Sequence, residues 1–219
     1  MELSYRKRAG LAAAVGLAGP VVTIIYYMAT LGGPEGNSYE QVSTYFTERW
    51  PELVSVWLTE NVFLFIGAVA AMGLAAGRGA ERAAWNAIAL GSVMAVLSNT
   101  LAIGMFRATG TIGEEFLPVF RAVLNASFFL FFLCKAAVAI GVAGLSWSLV
   151  RSGGALGKII GLIVFLVGLA AFAVNLVAMA RGLELVVPGA FTGSVAAALG
   201  ALVAFLVTRS APAGSEESA

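Results

Sequence analysis

Six long apolar runs occupy most of this chain and leave little sequence for anything else. A helix needs roughly 20 apolar residues to cross a bilayer, so six crossings with short connections account for nearly all of the 219 residues. Because 60% of the residues are hydrophobic and 11% are charged, a soluble core could not bury this much apolar surface. The sequence predicts an all-α, polytopic transmembrane bundle of six helices in one domain, residues 1–209. The runs lie near residues 9–31, 53–76, 85–106, within 117–150, 159–180 and 186–207.

The first run follows the basic triplet Arg6-Lys7-Arg8, a pattern that signal anchors and cleavable leaders share. The apolar core of a leader is usually about 7 to 15 residues long, whereas this run approaches the length of a full span. Met28-Ala29-Thr30 is also a poor small-residue cleavage site. We therefore expect this run to be the first transmembrane helix.

Several residue types needed for catalysis are missing. The chain has no His and no Asp, which removes the usual proton shuttle, the commonest metal ligand and any Ser-His-Asp triad. It contains no HExxH, no phosphate-binding glycine loop and no CxxC. The single cysteine, Cys134, lies in an apolar run, where a small buried hydrophobe is the simplest interpretation. The sequence disfavours an enzyme and predicts no catalytic residues, metal or cofactor.

The charges are distributed unequally between the two ends of the predicted bundle. The net charge is +1, and no basic cluster is interleaved with aromatic residues, so we expect no nucleic-acid partner. Cytoplasmic loops retain positive residues, and the bias predicts that both termini are cytoplasmic, with 210–219 as a disordered tail. One side receives Arg6, Lys7, Arg8, Arg78, Arg82, Arg151, Lys158 and Arg209, and the other receives Arg49, Arg107, Arg121 and Arg181.

The longest connection, residues 32–52, has room for a short helix. Ser38 followed by Gln41 is a capping-box pattern that would start a helix before Val42, Tyr45 and Phe46. Aromatic residues of this kind suit a membrane interface. The sequence predicts an interfacial helix between the first two spans, which serves either as a lid over an outward-facing cavity or as a tether.

Glycines inside the later spans permit close approach of helices in lipid. They could pack the helices of one chain together or form the face of a dimer. They are Gly141, Gly144, Gly161, Gly168, Gly193 and Gly200.

Polar residues inside the spans suggest a binding site. Lys135 is the one charge placed well inside a run, and an ammonium at this depth is costly unless it has a partner, a watery cavity or a function. Glu60 is its most plausible counter-charge. We hypothesise that one cavity opens to the outside with Lys135 at its floor; the alternative is that these residues only bond helices together. The predicted ligand-binding residues are Lys135, Glu60, Asn61, Asn99, Asn125 and Asn175.

The sequence is compatible with two functions. One is a small polytopic protein that binds or transports a small or lipid-like molecule through this outward-facing polar cavity. The other is a non-catalytic structural or accessory subunit of a larger membrane complex. The expected partners are the lipid bilayer together with a small-molecule or lipid ligand, other membrane proteins or further copies of the chain.

The segment from Gly144 to Gly153, with Ser146-Trp147-Ser148 and Arg151-Ser152-Gly153, is followed by Gly161 and Gly168. This pattern resembles a broad bacterial family of six-helix integral membrane proteins that is known only as a domain of unknown function. In that family a helix ends in a short Arg-Ser-Gly turn, and the next helix begins with spaced glycines. The resemblance implies six helices and a location in the bacterial inner membrane, and it implies no activity.

Overall fold

The computed structural model of the protein describes residues 5–76 and 79–210, and within these ranges the fold is all-α without strands. Six long helices and one short helix follow each other along the chain. Two single 3₁₀ turns, Glu114–Phe116 and Gly182–Leu185, precede α5 and α7. The helices are α1 Tyr5–Thr30, α2 Tyr39–Glu48, α3 Trp50–Leu74, α4 Ala80–Gly110, α5 Leu117–Ser152, α6 Ala155–Arg181 and α7 Val186–Ser210.

Each of the six apolar runs coincides with one long helix. By length and composition, five helical segments in the described ranges are able to cross a membrane, and the fifth, Ala155–Arg209, contains both α6 and α7. The structure therefore agrees with a multi-pass membrane protein. Arg78, which contributed to the predicted charge bias, and the predicted tail beyond Ser210 lie outside the described residues.

Glycine and proline set several helix boundaries. Gly79 before α4 and Gly182 after α6 have φ values of 75° and 67°, which a residue with a Cβ rarely adopts. Pro118 occupies the first turn of α5, where its missing N–H has no helical partner to lose. These residues let the chain reverse in short connections.

Five of the long helices form a closed ring in the order α1, α3, α4, α5, α7 and back to α1. Neighbours in this order pack along each other, and α6 lies outside the ring against α5 and α7. The ring is not continuous along the chain, because α7 rather than α6 closes it against α1. This arrangement leaves a central space that α6 does not reach.

The span glycines lie at contacts between helices of the same chain. A Cβ on Gly141 would be 2.7 Å from the Ala84 carbonyl oxygen of α4, and one on Gly168 would be 2.9 Å from the Ala139 carbonyl oxygen of α5. The α1–α3 contact is closer still, since Gly16 faces Gly67 there. Glycine permits these backbone approaches in lipid, where association depends on packing.

The short helix α2 covers one end of the ring. Its capping box is present as predicted: Gln41 N–H donates to Ser38 Oγ, and the Gln41 side chain accepts from the Ser38 backbone. Val42 and Phe46 are buried at 3% and 4% exposure against the ends of the long helices. Phe46 joins α2 to an aromatic layer, with ring centroids 5.5–6.1 Å apart in the pairs that include Phe46. The aromatic layer consists of Phe46, Trp50, Trp57, Phe106 and Phe120.

The opposite end of the ring holds the largest apolar core. Trp85 and Ile88 of α4 and Leu145 of α5 are fully buried there. Arg6 of α1 forms a salt bridge with Glu81 of α4 at 2.5 Å. Both ends of the ring are therefore closed by packed side chains.

Candidate functional site

A cavity of about 40 Å³ lies in the centre of the five-helix ring. It has room for a few water molecules. Every helix of the ring contributes to its wall, and each contributes from near the middle of its length. The polar or charged side chains on the wall are Glu60, Ser92, Ser98, Asn99, Cys134 and Lys135, and the remainder are Gly16, Leu17, Pro20, Leu64, Gly91, Ala95, Phe131, Val138 and Ala197.

Glu60 reaches the cavity from α3 and is held by α4. Asn99 Nδ2 donates one hydrogen bond to Glu60 Oε2 over 3.2 Å and another to Asn61 Oδ1 over 3.1 Å. An amide nitrogen has two hydrogens, so Asn99 donates both of them to residues of α3. The Asn99 Oδ1 acceptor receives no hydrogen bond from the residues that the structure describes.

Lys135 enters the cavity from α5 and leans across α7. Its stem lies against Gly193, and its ammonium is 3.4 Å from Ser194 Oγ. The Phe131 ring centroid is 5.3 Å from Nζ, a distance at which the ring face attracts a cation. An ammonium has three hydrogens, and one long hydrogen bond leaves much of this capacity unused. Only 8% of the residue is exposed.

Glu60 and Lys135 face the same cavity from helices that are not neighbours in the ring. They interact electrostatically, yet they do not form a salt bridge; in residues 5–76 and 79–210, Arg6 with Glu81 is the pair that does. Opposite charges in a poorly solvated space attract strongly, so direct contact would be the simplest arrangement. The structure instead places the two charges on the lining of the same cavity without a salt bridge between them.

Pro20 lies within α1 on the same wall, one turn after Gly16. Because proline has no N–H, the carbonyl of Gly16 loses its usual helical donor. A Cβ on Gly67 of α3 would be 3.5 Å from the Gly16 carbonyl oxygen, so this oxygen lies at the α1–α3 contact. Thr23 Oγ1 donates to the Pro20 carbonyl over 3.0 Å.

The structure brings together four of the six predicted site residues. Glu60, Asn99 and Lys135 line the cavity, and Asn61 is bonded to Asn99. Asn125 is exposed and does not line it. Asn175 is fully buried on α6, outside the ring, where its Nδ2 donates to the Ala171 carbonyl over 2.9 Å and its Oδ1 lacks a partner.

Glu60 and Lys135 line one cavity near mid-helix. The aromatic layer lies between this cavity and α2, since Trp57 is about one turn before Glu60 and Phe106 about two turns after Asn99.

Several residues of the site were not found by sequence reasoning. Ser98 of α4 donates to the Ser127 carbonyl of α5 over 2.9 Å, and their hydroxyls are 3.1 Å apart. Pro20 inside an apolar run was a usable signal, because proline in a span frees a carbonyl. Ser194 gave no signal of its own, since only the fold places it beside Lys135.

The described residues contain no cluster of three or more metal-ligating side chains. No protein-family model matches this chain, and neither does any curated protein or solved structure.

Proposed function

We propose that this protein is a membrane carrier that binds a small polar molecule in the central cavity and moves it across the bilayer. In this proposal α1, α3, α4, α5, α6 and α7 each cross the membrane. Both termini lie in the cytoplasm of a bacterium, and α2 lies at the outer interface of the inner membrane. The carrier function concerns the ring of five helices, while α6 supports α5 and α7 from outside.

One observation carries the proposal: Glu60 and Lys135 face a shared cavity at mid-helix without a salt bridge between them. Charged groups at this depth are expensive and usually mark pathways for ions or substrates. Two groups that served only to hold helices together would gain most from direct contact. Their separation supports a site that accepts an occupant.

The location of the cavity also supports transport. Carriers commonly bind their substrates near the bilayer midplane, and this cavity lies near the middle of each helix that lines it. The volume of about 40 Å³ favours a small molecule over a lipid-like one. Packed side chains at both ends of the ring correspond to an occluded state, from which either end would have to open.

The α2 end is the better candidate for an outer gate. α2 is a short helix that packs on the ring through Val42 and Phe46 and a few hydrogen bonds, whereas the opposite end is closed by the larger apolar core and a salt bridge. Tyr45 Oη donates to the Gly32 carbonyl over 2.7 Å and lies 3.2 Å from Tyr27 Oη. Tyr39 Oη donates to the Thr111 carbonyl over 3.0 Å. Such bonds are worth about 1 kcal/mol each, so they can break and re-form.

Native mass spectrometry of the protein, extracted gently from its own membrane, tests the proposal. We expect a small molecule to remain bound to the wild type and to be lost from Lys135→Met and Glu60→Gln. Lys158→Met is the matched control, because Lys158 is exposed on α6 and should leave the bound molecule in place. Thermal unfolding of each variant verifies that it is folded.

A bare chain held in a defined complex with other proteins would contradict the carrier proposal and favour the accessory-subunit function. In that case Lys135 and Glu60 would be architectural, and replacing a buried charge with an apolar residue of similar size could raise stability.

A further inference from the structure

The charges on the cavity wall also indicate the chemical class of the molecule that binds there. Resting on the proposed carrier function, we propose that the molecule bound in the central cavity is a small zwitterion that carries both an ammonium and a carboxylate, as an amino acid does. Its carboxylate would bind Lys135, and its ammonium would bind Glu60.

The charges on the cavity wall balance each other. Glu60 and Lys135 are the two charged residues on the wall, so the site as a whole is neutral when both are ionised. An anion or a cation would leave one unpaired charge in a poorly solvated space, which is costly. A zwitterion pairs with both wall charges and keeps the total neutral.

Unused hydrogen-bonding capacity also favours a zwitterion. Lys135 donates one side-chain hydrogen bond, to Ser194 at 3.4 Å, and can donate more to a carboxylate. On the other side, Glu60 receives one side-chain hydrogen bond, and Asn99, whose Oδ1 receives none from the described residues, lines the wall beside it. An ammonium with three hydrogens can donate to both of these acceptors.

The size of the cavity restricts the zwitterion further. Gly91, Ala95 and Ala197 form part of the wall, and the volume is about 40 Å³. The smallest amino acids satisfy both the charges and this volume more readily than those with large side chains do.

Four small probes, none larger than glycine, separate the charge classes: glycine, acetate, methylammonium and acetamide. The experiment measures equilibrium binding of radiolabelled glycine to the purified full chain, with the other three as competitors. We expect glycine to bind and the competitors to displace it poorly. Lys135→Met and Glu60→Gln should each weaken glycine binding at least about tenfold, because each removes one charge-assisted contact.

Lys158→Met and Glu184→Gln are the controls, since they remove the same charges from exposed positions and should bind glycine like the wild type. Acetate or methylammonium competing as well as glycine would overturn the zwitterion and indicate an ion site. Equal binding by the two cavity variants and the wild type would also overturn it.

Failure of this inference can be distinguished from failure of the carrier proposal through Cys134, which lines the cavity. If glycine does not bind but small methanethiosulfonate reagents label Cys134 in the folded protein, the cavity is accessible and only the zwitterion is wrong. If glycine does not bind and native mass spectrometry also finds no small molecule on the wild type, the carrier proposal fails as well.

Discussion

Gly193 of α7 lies so close to Lys135 of α5 that a Cβ at position 193 would be 2.7 Å from the lysine Cδ and 2.8 Å from its Cβ. The missing side chain makes the groove in which the Lys135 stem runs toward Ser194. The absence of a side chain at Gly193 therefore positions Lys135 as much as the hydrogen bond to Ser194 does.

Gly193→Ala should displace Lys135 and loosen α7 from α5. We expect a loss of about 1–3 kcal/mol in unfolding free energy, because overpacking forces side chains and backbone to shift, together with weaker retention of the bound molecule. Denaturant titration in detergent measures the first effect, and native mass spectrometry the second. The control is Gly104→Ala, where no atom lies within 4 Å of the added Cβ and higher helix propensity should leave stability unchanged or slightly increased. Similar losses in both variants would contradict the specific contact.

Asn99 joins α4 to α3 through its two donated hydrogen bonds. Asn99→Ala leaves the acceptors of Glu60 and Asn61 without their donor, so we expect unfolding free energy to fall by about 1 kcal/mol. Thr100→Ala is the neighbouring control, because Thr100 is exposed and bonds only to the Val96 carbonyl of its own helix. The same denaturant titration compares them, and a Thr100→Ala loss as large as that of Asn99→Ala would count against the α3–α4 link.

Tyr45→Phe should favour opening of α2. The change removes the hydroxyl that binds the Gly32 carbonyl and Tyr27, a loss of about 0.5–1.5 kcal/mol. A membrane-impermeant thiol reagent added at the α2 side should therefore label Cys134 about 2- to 10-fold faster. Tyr26→Phe is the control, since Tyr26 is 54% exposed. Unchanged labelling in Tyr45→Phe would argue that α2 is a fixed tether.

The Tyr45 contact should not respond to pH in the neutral range. Burial, reinforced by Tyr27, raises the pKa of the Tyr45 hydroxyl above its ordinary value. A group with a raised pKa keeps its contribution to stability below the unfolded pKa, near 10 for tyrosine, and loses it only as pH rises through the folded pKa. The ratio of Cys134 labelling rates for Tyr45→Phe and wild type should stay constant between pH 6 and about 9. A ratio that fell toward one in this range would show that the contact titrates.

The connection between α6 and α7 decides the number of crossings. Gly182 lets the chain reverse, so a reporter inserted in Gly182–Leu185 should lie outside the cell if α6 and α7 both cross. Alkaline phosphatase placed there should be active, whereas the same enzyme fused after residue 209 should be inactive. Activity at both positions, or at neither, would contradict six crossings with both termini inside.

The sequence predicted the structure best where interactions between neighbouring residues decide it. The Ser38–Gln41 capping box started α2 as expected, because a cap satisfies neighbouring backbone groups without help from the rest of the fold. Asn61, Asn99 and Glu60 do lie together. Asn125 and Asn175 do not join them, because depth in a span says nothing about which side of its helix a residue occupies or where that helix stands in the bundle.

The sequence by itself determined that this is a chain of long apolar helices, since lipid requires every backbone group to be bonded within its own helix and requires apolar side chains outside. It also determined that Glu60 and Lys135 lie within apolar runs, where a buried charge costs free energy. Only the tertiary structure decided that α7, not α6, closes the ring and that Glu60 and Lys135 share a cavity without touching. Helices in lipid have no strong hydrophobic drive to choose neighbours, so small contacts such as Gly16 with Gly67 and Gly193 with Lys135 select the arrangement, and these contacts exist only after the chain has folded.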